Sequence, residues 1–208
     1  MRAAYHAAMD GIDWAGSAML AARARLDIAT DNLANVSTDG FVRTLARGRL
    51  TPAGVEIDRV ASGEHGAFRK TGRPYDLAIV GEGAFRVRAG DGRVSATRNG
   101  AFERDRFGTL RDAQGRALLG LHGPVRVPDG ASIDERGRIM LAGNAVDRIL
   151  TGRDCTVRSG YVETANVNAI EEMVAVLASQ RSFESAQKVA SAIDGTRQKS
   201  SNDVARVK

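Results

Sequence analysis

The chain has 208 residues, 43% of them hydrophobic, which suffices for one or two domains with a hydrophobic core. The formal net charge is +5 at pH 7, but the arginines are scattered among Gly, Asp and Glu, and only 5% of residues are aromatic, so a nucleic-acid partner is not expected. The single cysteine, Cys155, excludes a disulfide within the chain, and no apolar run is long enough for membrane insertion.

The first predicted element is a long amphipathic helix over roughly residues 3–33. Its apolar residues recur at alternating steps of three and four, which is the spacing of a heptad seam. The seam consists of Tyr5, Ala8, Ile12, Ala15, Met19, Ala22, Leu26, Ala29 and Leu33. An ordinary core-facing helix has the same pattern, but the predicted length is more than twice the usual length of about 11–12 residues. The small alanines favour close approach of a partner helix.

This helix is predicted to end in a polar turn at residues 32–41. Asn32, Asn35 and the Ser, Thr and Asp that follow compete for backbone hydrogen bonds, and Gly40 permits a left-handed conformation. Phe41 comes next, a large apolar residue in a polar context. The pattern is typical of a helix C-cap followed by a loop, and a recognition signature is the alternative interpretation.

The middle of the chain is predicted to be β-structure. Residues 42–65 are predicted to be an extended linker with one or two strands, because Pro52 and Gly54 exclude a continuous helix. In residues 66–152, short apolar strands alternate with Gly-containing turns about every ten residues. This spacing predicts an all-β domain, either a small antiparallel barrel or a sandwich.

No enzyme or metal site is predicted in this region. Gly81 and Gly83 follow an apolar strand, but Arg86 stands where a dinucleotide-binding fingerprint has its third glycine. The three histidines, His6, His65 and His122, are too far apart in sequence for a helical zinc site. We therefore expect no cofactor.

Residues 153–208 are predicted to return to helix after a lead-in. Asn168 and Glu171 form a capping-box-like start, and Gly195 is expected to fray the end. The predicted apolar stripe consists of Ile170, Met173, Val176, Leu177, Phe183, Ala186, Ala190 and Ile193. The expected fold class is α+β, in which residues 1–41 and 153–208 pack as an antiparallel helical pair and the β domain is inserted between them.

Three blocks of sequence resemble signatures of flagellar basal-body rod and hook proteins. The first, Asn32-Leu-Ala-Asn-Val-Ser-Thr-Asp-Gly-Phe41, is similar to their Asn-Leu-Ala-Asn-x-x-Thr-x-Gly-Phe. The second, residues 71–85, is similar to Thr-Gly-x-Pro-Leu-Asp-Leu-Ala-Ile-x-Gly-x-Gly-Phe-Phe, with Tyr75 and Ala84 as departures. The third, residues 160–183, resembles Gly-x-x-Glu-x-Ser-Asn-Val-Asn and a later Gln-Arg-x-Phe/Tyr, with Ala165 in place of Ser.

The blocks are distributed along most of the chain in the family's order, and the sequence resembles rod proteins of the FlgF/FlgG type. The resemblance implies a structural subunit of a helical tube that transmits torque from the motor to the hook. The implied partners are copies of the chain, other rod or hook subunits and the flagellar export apparatus. The implied location is the flagellar basal body, reached without a cleaved signal peptide. A hook-type subunit is the nearest alternative, and a module that binds acidic surfaces through its basic charge is a second.

The resemblance also implies which residues contact neighbouring subunits. They lie at both ends of the chain, in the signature blocks or, for Leu26, in the predicted helix before them, and each has an alternative role as a cap or core residue. They are Leu26, Asn32, Leu33, Asn35, Gly40, Phe41, Asn166, Asn168, Glu172, Gln180, Arg181 and Phe183.

Overall fold

The computed structural model describes residues 10–152 and 155–206, and these contain two helices and fifteen short strands. The α+β prediction is therefore confirmed. The elements are α1 (Gly11–Ala34), β1 (Thr44–Thr51), β2 (Gly54–Ala61), β3 (Phe68–Lys70), β4 (Leu77–Val80), β5 (Phe85–Arg88), β6 (Val94–Thr97), β7 (Glu103–Arg104), β8 (Leu110–Arg111), β9 (Ala117–Gly120), β10 (Gly123–Pro124), β11 (Ser132–Ile133), β12 (Arg138–Leu141), β13 (Asn144–Arg148), β14 (Thr156–Ser159), β15 (Tyr161–Glu163) and α2 (Ala169–Arg206).

The chain forms two compact units. The first, here called the helical unit, combines α1, the hairpin β1–β2 and α2. The second, here called the β unit, comprises residues 35–43 and 63–167. The segment predicted as a linker thus contains a hairpin that belongs to the helical unit, with Thr44 paired to Ala61 and Thr51 to Gly54.

Helix α1 buries its small seam residues most deeply. Ala15, Ala22 and Ala29 are buried, whereas the larger seam members from Ile12 to Leu33 are half-buried. The described part of the predicted seam is therefore confirmed as a buried face, while Tyr5 and Ala8 lie outside the described residues. Further buried positions on α1 are Ser17, Ala21, Ile28 and Asn32. They broaden the buried face because α1 packs against the hairpin as well as against α2.

Helix α2 buries only part of the predicted apolar stripe. Its buried residues Glu172, Ser179 and Ala186 are seven positions apart. Ala186 belongs to the predicted stripe, whereas the stripe members Ile170 and Leu177 are exposed. Glu172 and Ser179 are polar, so apolar periodicity alone predicted the wrong face for the first turns of the helix. The deciding contact is a hydrogen bond from Asn32 Nδ2 to Glu172 Oε2 at 3.2 Å, which turns the Glu172 face of α2 toward α1.

Helix α2 also continues beyond the predicted end. Gly195 lies inside the helix, which extends to Arg206. A glycine costs a helix interior only about 1 kcal/mol relative to Ala. The turns around it are supported by Thr196 Oγ1, which donates to Ala192 O at 2.9 Å, and by an ion pair between Arg197 and Asp10.

The β unit consists of small, open sheets in which every pairing between strands is antiparallel. The largest has the strand order β6-β5-β9-β8-β7, with β10 also paired to β9. The others are β11-β12-β13 and the pairs β14–β4 and β15–β3. Their apolar side chains share one core, built from Leu77, Ile79, Phe85, Val87, Phe102, Leu110, Leu118, Val125, Val127, Ile139, Ile149 and Val157.

Three turns of the β unit repeat one arrangement, Asp-x-x-Gly-x, beginning at Asp105, Asp112 and Asp134. In the first, Asp105 Oδ1 accepts the backbone N–H groups of Phe107 at 2.8 Å and Thr109 at 2.9 Å. Its other oxygen accepts a hydrogen bond from Arg111 Nε at 2.9 Å, which lowers the pKa of Asp105 below its usual value. Each aspartate therefore stabilises a tight turn and also binds an arginine.

The pKa of Asp134 is also lowered, although burial alone would raise it. Hydrogen bonds from the backbone and side chain of Arg138 outweigh the burial, because they favour the ionised carboxylate. Both aspartates therefore remain charged at neutral pH.

Candidate assembly surfaces

The end of α1 is fixed by the side chain of Asn32. Its Nδ2 donates to Thr44 O at 2.8 Å and its Oδ1 accepts the Thr44 N–H at 2.9 Å. The same Nδ2 also donates to Glu172. Asn32 and Glu172 are both buried, so these two predicted interface residues join three elements within one copy of the chain.

Removing this side chain should destabilise the helical unit. We expect Asn32→Ala to lower its free energy of unfolding by about 2 kcal/mol, because the Thr44 N–H and carbonyl would both lose their hydrogen bonds to this side chain and Glu172 would lose one of its own. Urea denaturation followed by helical circular dichroism measures the change. Gln187→Ala, at an exposed position of α2, is the matched control. Equal midpoints for the two variants would contradict this role.

Gly40 and Phe41 lie in a turn that packs within the β unit. The Gly40 N–H donates to Glu163 O at 2.7 Å, and the Phe41 N–H donates to Thr38 O at 3.2 Å. Gly40 has a φ of 67°, and a Cβ there would lie 2.1 Å from Asn99 N. Only glycine fits both the backbone conformation and the space.

Asn166 joins the closing signature to the opening one. Its Oδ1 accepts the Arg43 N–H at 2.6 Å, and its Nδ2 donates to Glu64 O at 2.7 Å. Its own N–H donates to Phe41 O at 3.4 Å. Asn166 is therefore an internal clamp, which a helix-cap or interface interpretation of the sequence did not identify.

Asn168 starts α2. Its Oδ1 accepts the Ile170 N–H at 3.0 Å, and its Nδ2 donates to Glu171 Oε1 at 3.2 Å. The predicted N-cap is confirmed, and Glu171 binds the Asn168 side chain.

The remaining predicted interface residues lie nearer the surface. Gln180, Arg181 and Phe183 are exposed on α2. Leu26, Leu33 and Asn35 are half-buried. The structure thus separates the predicted interface residues into internal clamps and accessible side chains.

A row of four apolar residues on α2 is exposed, although the sequence analysis placed three of them on the buried stripe. Ile170, Met173, Val174 and Leu177, here called the α2 row, have exposed fractions between 53% and 73%. Their spacing of three and four places them on one side of the helix. The sequence contains no local signal for this row, because the residues on the buried face, Glu172 and Ser179, are polar. A contiguous apolar surface of this kind typically marks an interaction site.

A buried ion pair holds the second and third signature blocks together in the β unit. Arg98 Nε donates to Glu163 Oε2 at 2.6 Å, and Glu163 Oε1 accepts the Gly66 N–H at 3.0 Å. The other nitrogens of Arg98 donate to the carbonyl groups of Ile79, Gly81 and Gly83. Sequence reasoning missed this pair because its members are 65 positions apart.

Across residues 10–152 and 155–206, no cluster of three or more His, Cys, Asp or Glu is placed to hold a metal ion. Neither described helix has an apolar stretch long enough to cross a membrane.

Comparison with protein families gives three matches along the chain. Residues 12–41 match the model described as flagella basal body rod protein. Residues 78–141 match the flagellar hook protein FlgE/F/G D1 domain, and residues 158–203 match the flagellar basal body rod FlgEFG protein C-terminal model.

Individual relatives agree over most of their length. The flagellar basal-body rod protein FlgF of Escherichia coli K12 is 30% identical over 219 residues, which cover 80% of this chain and 87% of the relative. FlgF of Mesorhizobium japonicum is 28% identical, with 84% and 89% covered. FlgG of Bacillus subtilis is 26% identical, with 82% and 89% covered. The chain therefore belongs to the flagellar basal-body rod proteins of the FlgF/FlgG type, which are structural subunits of the basal body and not enzymes.

Proposed function

We propose that this rod subunit polymerises with copies of itself and with other rod or hook subunits into a helical tube that transmits torque from motor to hook. The observation that supports this most directly is the α2 row, Ile170, Met173, Val174 and Leu177, which a single copy leaves exposed. A contact between different surfaces of identical subunits generates an open helical assembly when its rotation does not close a ring. Burial of apolar side chains provides a driving force for such contacts.

The proposed architecture is an antiparallel pair of α1 and α2 that carries a β domain with a small sandwich-like core. Two contacts within the helical unit support the pairing, because Asn32 near the end of α1 binds Glu172 near the start of α2, and Asp10 binds Arg197. In the β unit, the shared core of its small sheets supports the sandwich. We assign the hairpin β1–β2 to the helical core because it packs against α1. We assign β14 and β15 to the β domain because they pair with β4 and β3.

The predicted interface residues fall into three groups. Gln180, Arg181 and Phe183 are accessible and would contact neighbouring subunits directly. Asn32 and Glu172, like Asn166, would support assembly by fixing the elements that present those contacts. The third group lies within α1, in the signature turn and at the start of α2, and keeps its proposed interface role; it consists of Leu26, Leu33, Asn35, Gly40, Phe41 and Asn168.

The α2 row can be tested in cells that lack the chromosomal copy of the gene. We expect Ile170→Ser combined with Leu177→Ser to abolish swimming in soft agar, because the variant loses the apolar contact area between subunits. The purified variant should unfold at nearly the wild-type urea midpoint, since both side chains are exposed. Val189→Ser, which removes an exposed apolar residue of α2 outside the row, is the matched control.

The α2 row would be excluded as an assembly contact if the double variant swam normally at wild-type expression and was present in isolated basal bodies. If the subunit is found in basal-body fractions from which the hook has been removed, a rod location is favoured over the hook-type alternative. Mass spectrometry of the subunit in those fractions tests the proposed export through the flagellar apparatus, which would leave the N-terminal peptide uncleaved.

A further inference from the structure

The β unit contains a cavity of about 340 Å³ lined by arginines. Its charged and polar lining consists of Arg88, Arg111, Arg126, Asp105 and Thr109, and the ring of Phe107 forms part of its wall. We call it the arginine cavity. None of these residues belongs to the helices or to the turn at residues 35–43, so the cavity is separate from the proposed assembly contacts.

The sheet register places the arginines around a small floor. Arg88 on β5 pairs with Ala117 on β9, and Ala117 pairs in turn with Arg111 on β8. Residues paired across antiparallel strands lie on the same face of the sheet, so two long cationic side chains flank one methyl group. A separate bridge between Thr109 and Arg126 brings the third arginine to the same place.

The charges in the cavity do not cancel. Arg111 is neutralised by Asp105 at 2.9 Å. Arg88 and Arg126 form no ion pair with any residue that the structure describes. Elsewhere in the β unit many arginines bind an aspartate, as in the pair of Arg116 with Asp112, in which Arg116 Nε lies 2.7 Å from Asp112 Oδ2. Two cations without a partner thus converge on one concave site.

Thr109 also lines the cavity, and its hydroxyl makes no hydrogen bond to the described part of the chain. Its backbone N–H is already bound by Asp105. The hydroxyl is therefore the group of Thr109 that can bind a ligand.

An exposed aromatic ring completes the cavity. Phe107 is 67% exposed, and the guanidinium carbon of Arg106 lies 4.7 Å from its ring centroid. A large exposed ring beside unpaired cations suits a ligand that combines negative charge with an apolar group.

We propose that the arginine cavity binds a carboxylate side chain of an acidic protein segment. Arg88 and Arg126 donate hydrogen bonds to the carboxylate, and the Thr109 hydroxyl donates to it at the base of the site. Phe107 packs against an apolar residue next to the acidic one. A polysaccharide is less suited, because the lining provides no Trp, Asn or Gln side chain. A single cavity of this size also does not follow the repeated phosphates of a nucleic acid.

The test uses the full chain and a fluorescein-labelled peptide that contains Glu-Glu-Phe-Glu-Glu, with Gln in place of each Glu in a control peptide. Fluorescence anisotropy at low ionic strength measures binding. Arg88→Gln combined with Arg126→Gln should weaken it by at least about tenfold, since two charge-assisted hydrogen-bonding groups are lost. Arg136→Gln combined with Arg148→Gln removes the same charge from two exposed arginines outside the cavity and should change binding by less than about twofold.

A second variant keeps the test valid if the double arginine variant folds poorly. Thr109→Val has nearly the same shape and should weaken binding by about fivefold through loss of one hydrogen bond to a charged group. An equal loss of affinity in both double variants would show that only net charge matters and would overturn the proposal. No binding by the wild type, or binding of polygalacturonate but not of the acidic peptide, would overturn it as well.

Discussion

Replacing Arg98 with Met is expected to lower the free energy of unfolding of the β unit by about 3–5 kcal/mol, which is typical for breaking a buried ion pair from one side. Glu163 would remain as a buried carboxylate without its cation, since its exposed fraction is only 3%. The carbonyl groups of Ile79, Gly81 and Gly83 would also lose their donor. Hydrogen exchange of the amides in β4 and β5, measured under native conditions, reports the loss.

The control for this experiment is Arg104→Met. Arg104 also binds a carboxylate at 2.6 Å, but that partner, Asp129, is 92% exposed. An exposed ion pair contributes no more than about 1 kcal/mol, so β4 and β5 should keep almost all their protection in this variant. If both substitutions reduced the protection of β4 and β5 equally, burial of the Arg98–Glu163 pair would not explain its contribution to stability.

The second large effect is expected for Gly40→Ala. This substitution should lower the free energy of unfolding more than the same substitution at a glycine with free space around it. Gly72 provides the comparison, because its φ of 73° is close to the 67° of Gly40, yet no atom lies within 4 Å of a Cβ built there. Gly72→Ala should cost only the left-handed conformation, about 1–2 kcal/mol. Gly40→Ala should lower the free energy of unfolding by about a further 1–3 kcal/mol, since the new methyl group overlaps the backbone of Asn99.

The difference between these two variants isolates the steric term. We expect it to appear in the urea midpoint of the β unit and in hydrogen exchange near Glu163, whose carbonyl accepts the Gly40 N–H. Identical stability of Gly40→Ala and Gly72→Ala would mean that the signature turn accommodates the extra methyl group with no loss of stability. Gly40 would then be needed only for its backbone conformation.

Local patterns in the sequence predicted most of the elements. The heptad spacing of Ala15, Ala22 and Ala29 predicted α1 and its buried face, because helical periodicity depends only on neighbouring turns. The N-cap at Asn168 was predicted for the same reason, since its partners are within a few residues. The glycine-containing turns of the β unit likewise depend on local backbone conformation.

Long-range contacts account for what the sequence did not predict. The face of α2 is selected by Glu172 and its hydrogen bond to Asn32, 140 positions away, and apolar periodicity contains no information about that partner. The helix continues through Gly195 because the cost of one glycine is small beside the contacts of the flanking turns. The roles of Asn32 and Asn166 were not predicted either, since the signature identified the residues but not their hydrogen-bond partners.

The clamp at Asn166 has a consequence for how much the β unit can vary. Asn166 Nδ2 and Glu64 O are 2.7 Å apart, so the chain finally leaves this unit beside the point where it re-enters it after the hairpin. Whatever length of polypeptide lies between them therefore forms a closed loop, and doubling such a loop costs only about 0.6 kcal/mol in closure entropy. Turns such as the exposed one at residues 142–143 could accept an added tag or a whole domain while the clamp stays closed. In an assembled flagellum, a label placed there would provide a marker for imaging individual subunits.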